Sequence, residues 1–209
     1  RAYDEAIAAA PGNLEPRILI GELFLEKYNG PEADAAMKDV IARNPNHPRG
    51  LLGLARAMEF NGTPGLMEQT EKALEQNENL VAARVFKAKL LLGLENHDEA
   101  RSEIQKALSV NPVSLEALSV LAAIHYLRGE MEQYETIRDR VSVLSPGYAE
   151  LYNDIAELSV HKAQVFLDAL DTLPHLAHFY DKRWGAFLQL SDKLADLVAS
   201  GPEDVALVH

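Results

Sequence analysis

The side chains most able to do chemistry in this 209-residue chain are its seven histidines and its closely spaced carboxylates. Asp171, His175 and His178 would converge on a metal ion if they lie on one helix face, as residues three or four apart do. Glu150 and Asp154 have the same helical spacing and the carboxyl chemistry of an acid–base pair. However, His-x-x-His without a third histidine or a thiolate is common by chance, and a carboxylate pair on a solvated face lacks the desolvated cleft that acid–base catalysis needs. The sequence therefore predicts no catalytic residue, no metal site and no cofactor.

Composition narrows the choice of partner. The chain has no cysteine, which excludes a thiolate nucleophile, a cysteine-bound metal and a disulfide framework. Its 32 acidic residues outnumber its 20 basic ones, for a net charge of −12. This charge argues against nucleic acid or an anionic membrane as the main partner. No apolar run approaches the roughly 18 residues needed to span a bilayer, so no membrane insertion is predicted.

Two series of mostly small residues recur along the chain at intervals of 34, 33, 34 and 34 residues. Two series that keep the same intervals indicate one supersecondary unit that is stacked repeatedly. A unit of this length is typically a pair of helices, which cannot bury its apolar face without a neighbouring pair. The first series is Ala6, Val40, Ala73, Ala107 and Val141, and the second is Gly21, Ala55, Ala88, Ala122 and Ala156.

Each unit contains two helix breaks. One is a proline-containing stop, as at Asn44-Pro45 and Asn111-Pro112, and Asn77 has to form the equivalent turn without a proline. The other is a turn cluster such as Asn29-Gly30-Pro31, which offers candidates for the N-cap of the following helix. Each unit is therefore predicted to be two helices of about a dozen residues.

The pattern resembles the tetratricopeptide repeat family, whose 34-residue unit carries a small residue in its first helix, Ala-x3-hydrophobic-x2-Ala in its second and a closing proline. The best match is the unit that contains Ala88, Ala100, Ile104, Ala107 and Pro112. The resemblance implies an all-α solenoid of stacked antiparallel helix pairs. Its expected extent is 1–162, with units at about 1–11 (partial), 12–45, 46–78, 79–112, 113–146 and 147–162 (first helix only).

After His161 the repeat pattern is lost. The stretch 163–209 is expected to form divergent capping helices, including an aromatic stripe around Trp184 that would cover the open end of the solenoid. An alternative is that this aromatic helix is a self-association surface and gives a homodimer. Because the chain opens at Arg1 in the middle of a repeat, we expect it to be a piece of a longer protein.

In the resembled family a concave groove is lined by the first helix of each unit. Carried over to this sequence, the groove-lining residues are Arg49, Leu52, Arg56, Val85, Phe86, Lys89, Ser119, Ala123, Tyr126 and Asn153. Arg49, Arg56 and Lys89 would form a basic strip suited to an extended peptide that carries acidic residues. The alternative is that these cations pair with Glu15, Glu22 or Glu59 of the chain itself.

The sequence thus predicts a noncatalytic protein-interaction scaffold that binds a peptide or a partner segment in its concave groove. Two alternatives remain open: a docking or regulatory arm of a larger enzyme, and the homodimeric structural module described above.

Overall fold

A computed structural model describes residues 2–156 and 158–159, and every regular element in this part of the chain is an α-helix. The predicted capping region, 163–209, lies outside the described residues. In chain order the helices are α1 (Ala2–Ala9), α2 (Glu15–Glu26), α3 (Gly30–Arg43), α4 (Pro48–Phe60), α5 (Leu66–Gln76), α6 (Val81–Gly93), α7 (His97–Val110), α8 (Leu115–Leu127), α9 (Met131–Leu144) and α10 (150–156).

The helices stack as antiparallel pairs. Within each pair α2 packs on α3, α4 on α5, α6 on α7 and α8 on α9, and each second helix also contacts the first helix of the next pair. First helices contact one another directly, α2 with α4 and α6 with α8, and side chains of α4 and α6 share one apolar cluster, so the first helices form a row. The predicted all-α solenoid of stacked helix pairs is confirmed.

Small residues let these helices approach closely. Ala55, Ala88 and Ala122 are completely buried at equivalent points of α4, α6 and α8. At Gly21, the equivalent point of α2, an added Cβ would lie only 2.5 Å from Cε of Met37 on α3. A larger side chain at this position would force Met37 to move, because a closely packed core has little room for extra methylenes.

The second helices end at residues in extended conformation, Asn44, Asn77, Asn111 and Ser145, with φ from −132° to −149°. The three asparagines each accept a hydrogen bond on Oδ1 from the backbone N–H two residues ahead, at 3.0–3.2 Å. The side chain thereby imitates a backbone turn. Asn77 therefore forms its turn without a proline, as predicted.

The breaks inside the units differ from the sequence expectation. Asn29 and Asn96 occupy the N-cap positions of α3 and α7, yet neither side chain makes a capping hydrogen bond. The break is fixed at the C-terminal end of the first helix, where one residue takes a left-handed conformation. The next N–H donates to a carbonyl five residues back, as Asn96 N–H does to Leu91 at 2.9 Å. The left-handed residues are Tyr28, Gly62, Glu95 and Gly129, with φ between 56° and 73°.

Two arginines at equivalent positions tie first helices to second helices. Arg17 donates from Nε to Asp39 at 2.7 Å, and Arg84 donates from Nη1 to Glu103 at 2.7 Å. Glu103 also accepts from Lys106 at 2.6 Å. Burial by itself would raise the pKa of Glu103, but the hydrogen bonds from Lys106 and Arg84 outweigh it and hold that pKa below its ordinary value.

We predict that Ala88→Leu lowers the free energy of unfolding by about 1–3 kcal/mol, because the added atoms overpack the interface of α6 with its neighbours. Urea denaturation followed by circular dichroism measures the change. Ala35→Leu, at an exposed position of α3, is the control and should leave the midpoint almost unchanged. Equal midpoints for the two variants would contradict the close approach at Ala88.

Candidate peptide-binding groove

The described part of the chain contains a groove of about 780 Å³ along the row of first helices. Its walls come from α4, α6, α8 and α10, together with the turn before α5 and the start of that helix. The lining residues are Arg56, Glu59, Gly65, Leu66, Met67, Phe86, Lys89, Leu90, Gly93, Leu94, Glu116, Asp154 and Leu158. Four successive units therefore contribute to one site.

Three of the predicted groove residues line this space. Arg56 lies on α4, while Phe86 and Lys89 lie on α6, and all three are brought together. Phe86 is only 5% exposed and forms part of the floor. The guanidinium carbon of Arg56 lies 5.9 Å from the centre of the Phe86 ring, within the range of a cation–π contact.

Three other predicted residues face the core instead of the groove. Val85 and Ser119 are fully buried, and Leu52 is 4% exposed. Val85 packs with the interior of α6, α7 and α8, and Leu52 packs with the interior of α4, α5 and α6. These side chains position the groove helices and present almost no surface to a ligand. Ala123, also fully buried, behaves in the same way.

The remaining predicted residues lie outside the groove lining. Tyr126 is half-buried and packs edge-on against Tyr134, with ring centres 5.4 Å apart. Asn153 is exposed on α10. Arg49 lies at the start of α4, next to α2.

Arg49 is bound by two carboxylates of α2. It donates from Nη1 to Glu15 at 2.6 Å and from Nη2 to Glu22 at 2.9 Å. Burial alone would lower its pKa, but these hydrogen bonds and the two nearby charges outweigh burial and raise it. The alternative considered for the sequence, pairing of this cation within the chain, holds for Arg49.

The two groove cations are also paired, with partners two units away. Arg56 on α4 donates to Oε1 of Glu116 on α8 at 3.3 Å, across 60 residues. Lys89 on α6 donates to Oδ1 of Asp154 on α10 at 2.6 Å, across 65 residues. Helices that pack side by side lie about 8–10 Å apart. Side chains reach past an intervening helix in this way only on the inner side of a curve, so the row of first helices is the concave face.

These contacts change the charge that the sequence predicts for the concave face. A basic strip was expected, but every cation in it faces a carboxylate of the chain. Within the groove itself Arg56 and Lys89 stand against Glu59, Glu116 and Asp154. The concave face is therefore not basic.

The apolar pockets expected from Leu52, Val85 and Tyr126 are not part of the groove lining, and apart from Phe86 its apolar residues are not among those predicted from the sequence. Leu66, Met67, Leu90 and Leu94 line the groove, and Leu94 is 70% exposed. Leu94 immediately precedes Glu95, the left-handed residue that ends α6, so it projects from a turn instead of from a helix face. The sequence signal that could have identified Leu94 as a groove residue is a leucine directly before a helix break inside a unit.

The described residues contain no group of three or more potential ligands that could hold a metal ion. Asp171, His175 and His178 lie outside them, as does the aromatic stretch around Trp184, so the predicted homodimer surface stays a prediction. None of the helices described is both long enough and apolar enough to cross a bilayer.

Residues 86–133 match the model of the tetratricopeptide repeat. Over this segment, from α6 to the start of α9, the chain is similar to the tetratricopeptide repeat. The resemblance found in the sequence is thereby confirmed. None of the curated proteins matches the sequence of the chain.

Solved tetratricopeptide repeat structures share the fold. TTC0263 of Thermus thermophilus is 16% identical with a TM-score of 0.62, over 76% of this chain and 87% of its own. YrrB, described as having an unusual peptide-binding site, is 17% identical with a TM-score of 0.52, over 88% and 98%. A tetratricopeptide repeat protein from Parabacteroides merdae is 18% identical with a TM-score of 0.54, over 92% and 84%.

We predict that Lys89→Ala destabilises the solenoid by about 1–3 kcal/mol, because it removes a hydrogen-bond donor from the buried carboxylate of Asp154. Arg56→Ala should cost less than about 1 kcal/mol, because both members of the Arg56–Glu116 pair are partly solvated. Urea denaturation midpoints measure both. If the Arg56 variant proves the less stable of the two, our ranking of the ion pairs is refuted.

Proposed function

We propose that this chain is a noncatalytic interaction module that binds an extended segment of a partner protein in its concave groove. The observation that carries the proposal is the open groove of about 780 Å³, which four successive units build around an apolar floor. A site assembled from stacked units is elongated along the stack, so it suits an extended chain better than a compact ligand.

The apolar lining supports a side-chain binding role. Phe86, Leu90 and Met67 line the groove together with the exposed Leu94. Burial of each Å² of this apolar surface by a partner contributes roughly 25 cal/mol. Anchoring side chains of a partner would gain most of their binding energy here, as buried anchors do at other interfaces.

The charged groups of the groove support binding over catalysis. Arg56, Lys89, Glu116 and Asp154 are engaged in ion pairs with one another. Acid–base chemistry needs a group whose pKa is displaced towards the working pH and whose proton can reach a substrate. Paired charges that link helices two units apart are instead suited to holding the shape of a binding groove.

The partner class follows from chemistry and from the fold. The net charge of −12 disfavours a polyanion such as nucleic acid. YrrB, a protein of similar fold, has a peptide-binding site. The acidic peptide expected from the sequence would have to displace Glu116 and Asp154 from the groove cations, which weakens the basis for that preference.

We predict that a photo-crosslinker placed at Leu94 captures the partner in cells that express the protein, while one at Val143 does not. The two positions are a matched pair, because Leu94 is 70% exposed in the groove and Val143 is 83% exposed on α9. The crosslinked fragment of the partner is then identified by mass spectrometry and synthesised as a peptide.

Calorimetry with that peptide completes the test. The purified wild-type chain should bind it, and Leu94→Asp should weaken binding at least about tenfold, because a charge replaces an apolar contact. Capture from both positions, or equal binding by the Leu94→Asp variant, would show that the partner binds elsewhere.

A further inference from the structure

The charges lining the groove do not balance. Arg56 and Lys89 supply two positive charges, whereas Glu59, Glu116 and Asp154 supply three negative ones. Counted over the described residues, the groove lining is therefore acidic on balance, and it lies within a chain that is itself acidic. Both facts favour a ligand that brings positive charge.

Lys89 forms an ion pair with a buried carboxylate. Its Nζ lies 2.6 Å from Oδ1 of Asp154, whose side chain is only 7% exposed. A ligand carboxylate that bound Lys89 in place of Asp154 would take this cation away from a buried carboxylate. That exchange is unfavourable, because a buried charge that loses its partner keeps its desolvation cost.

Arg56 is engaged on two sides. Its guanidinium lies over the Phe86 ring and donates to Oε1 of Glu116. A ligand acid at this point would compete with a carboxylate already in place. The cations predicted to bind an acidic ligand are therefore already paired with carboxylates of the chain.

Glu116 is an accessible acidic group at the centre of the ion pairs of the groove, and the exposed Glu59 is a second acidic group of the lining. Its side chain is 41% exposed, and Arg56 contacts only its Oε1. In the described part of the chain no hydrogen bond reaches Oε2. Glu116 can thus accept a hydrogen bond from a ligand cation without releasing Arg56. The apolar side chains of Leu90 and Leu94 line the same groove.

We propose that the groove selects a partner segment in which a lysine or arginine stands close to a large apolar residue. The cation pairs with Glu116, and the apolar side chain packs against Leu90 and Leu94. This inference rests on the proposed function of the groove, and it replaces the acidic ligand expected from the sequence.

The test is a selection from a random dodecapeptide phage library on the wild-type chain, followed by fluorescence-polarisation titration of the enriched peptides at physiological salt. The enriched peptides are expected to carry lysine or arginine close to leucine, phenylalanine or methionine. Glu116→Lys should weaken their binding at least about tenfold, because it puts like charges together. Glu75→Lys, an exposed position on α5 with the same change in net charge, is the control and should stay within about twofold of wild type.

Other outcomes separate this inference from the proposed function. Enrichment of acidic peptides whose binding is lost in Arg56→Ala would overturn the charge preference and leave the groove intact. Equal weakening by Glu116→Lys and Glu75→Lys would also overturn it, because the effect would then come from net charge alone. Enriched peptides that bind Leu94→Asp normally, or no enrichment at all, would overturn the groove and the inference together.

Discussion

Close approach of the first helix of each unit to the helices packed against it is the constraint on which the rest of this structure depends. Gly21, Ala55, Ala88 and Ala122 lie at one equivalent point of α2, α4, α6 and α8, and each is buried. A residue without γ atoms at this point allows the helices to pack closely. The row of first helices is concave where Arg56 pairs with Glu116 and Lys89 with Asp154, and the groove lies on that side, where four units contribute to it.

The curvature also explains why ion pairs skip a unit. In a stacked array each unit is expected to contact only its neighbours, so a pair such as Arg56 and Glu116 has no counterpart in neighbour-to-neighbour reasoning. Lys89 and Asp154 repeat the arrangement one unit later. These pairs connect α4 with α8 and α6 with α10, and they place carboxylates where the sequence suggested open cations. The electrostatic character of the groove is therefore a product of tertiary curvature.

The fold was predictable from the sequence, because stacked units repeat the same local signals. The small residues at 33- or 34-residue spacing and the asparagine turns appear in the structure at the positions where the sequence shows them. The site was predictable only in part. Arg56, Phe86 and Lys89 line the groove, whereas Val85 and Ser119 are buried. A rotation of a few tens of degrees about a helix axis decides between groove and core, and equivalent positions in a repeat do not fix that rotation.

The part of the groove that no repeat position identifies is its apolar side. Leu94 belongs to the turn after α6, and at that point the other units carry Lys27, Asn61 and Arg128. A residue that occurs in a single unit cannot be predicted from the repeat pattern, yet it distinguishes the groove of this solenoid from that of other repeat proteins. The same holds for Glu116, which occupies on α8 the position that Arg49 occupies on α4. Specific recognition resides in such departures from the repeat, while the repeat itself supplies the frame.

A partner chain bound along the concave groove of α4, α6 and α8 would lie against the methyl groups of that groove. Methyl NMR with a bound peptide, selected from a random library by the wild-type chain, locates the partner on the protein surface. We expect intermolecular NOEs between the peptide and the methyl groups of Leu66, Leu90 and Leu94. Intermolecular NOEs to Val110, Val113 and Val143 in place of these would contradict binding in the groove.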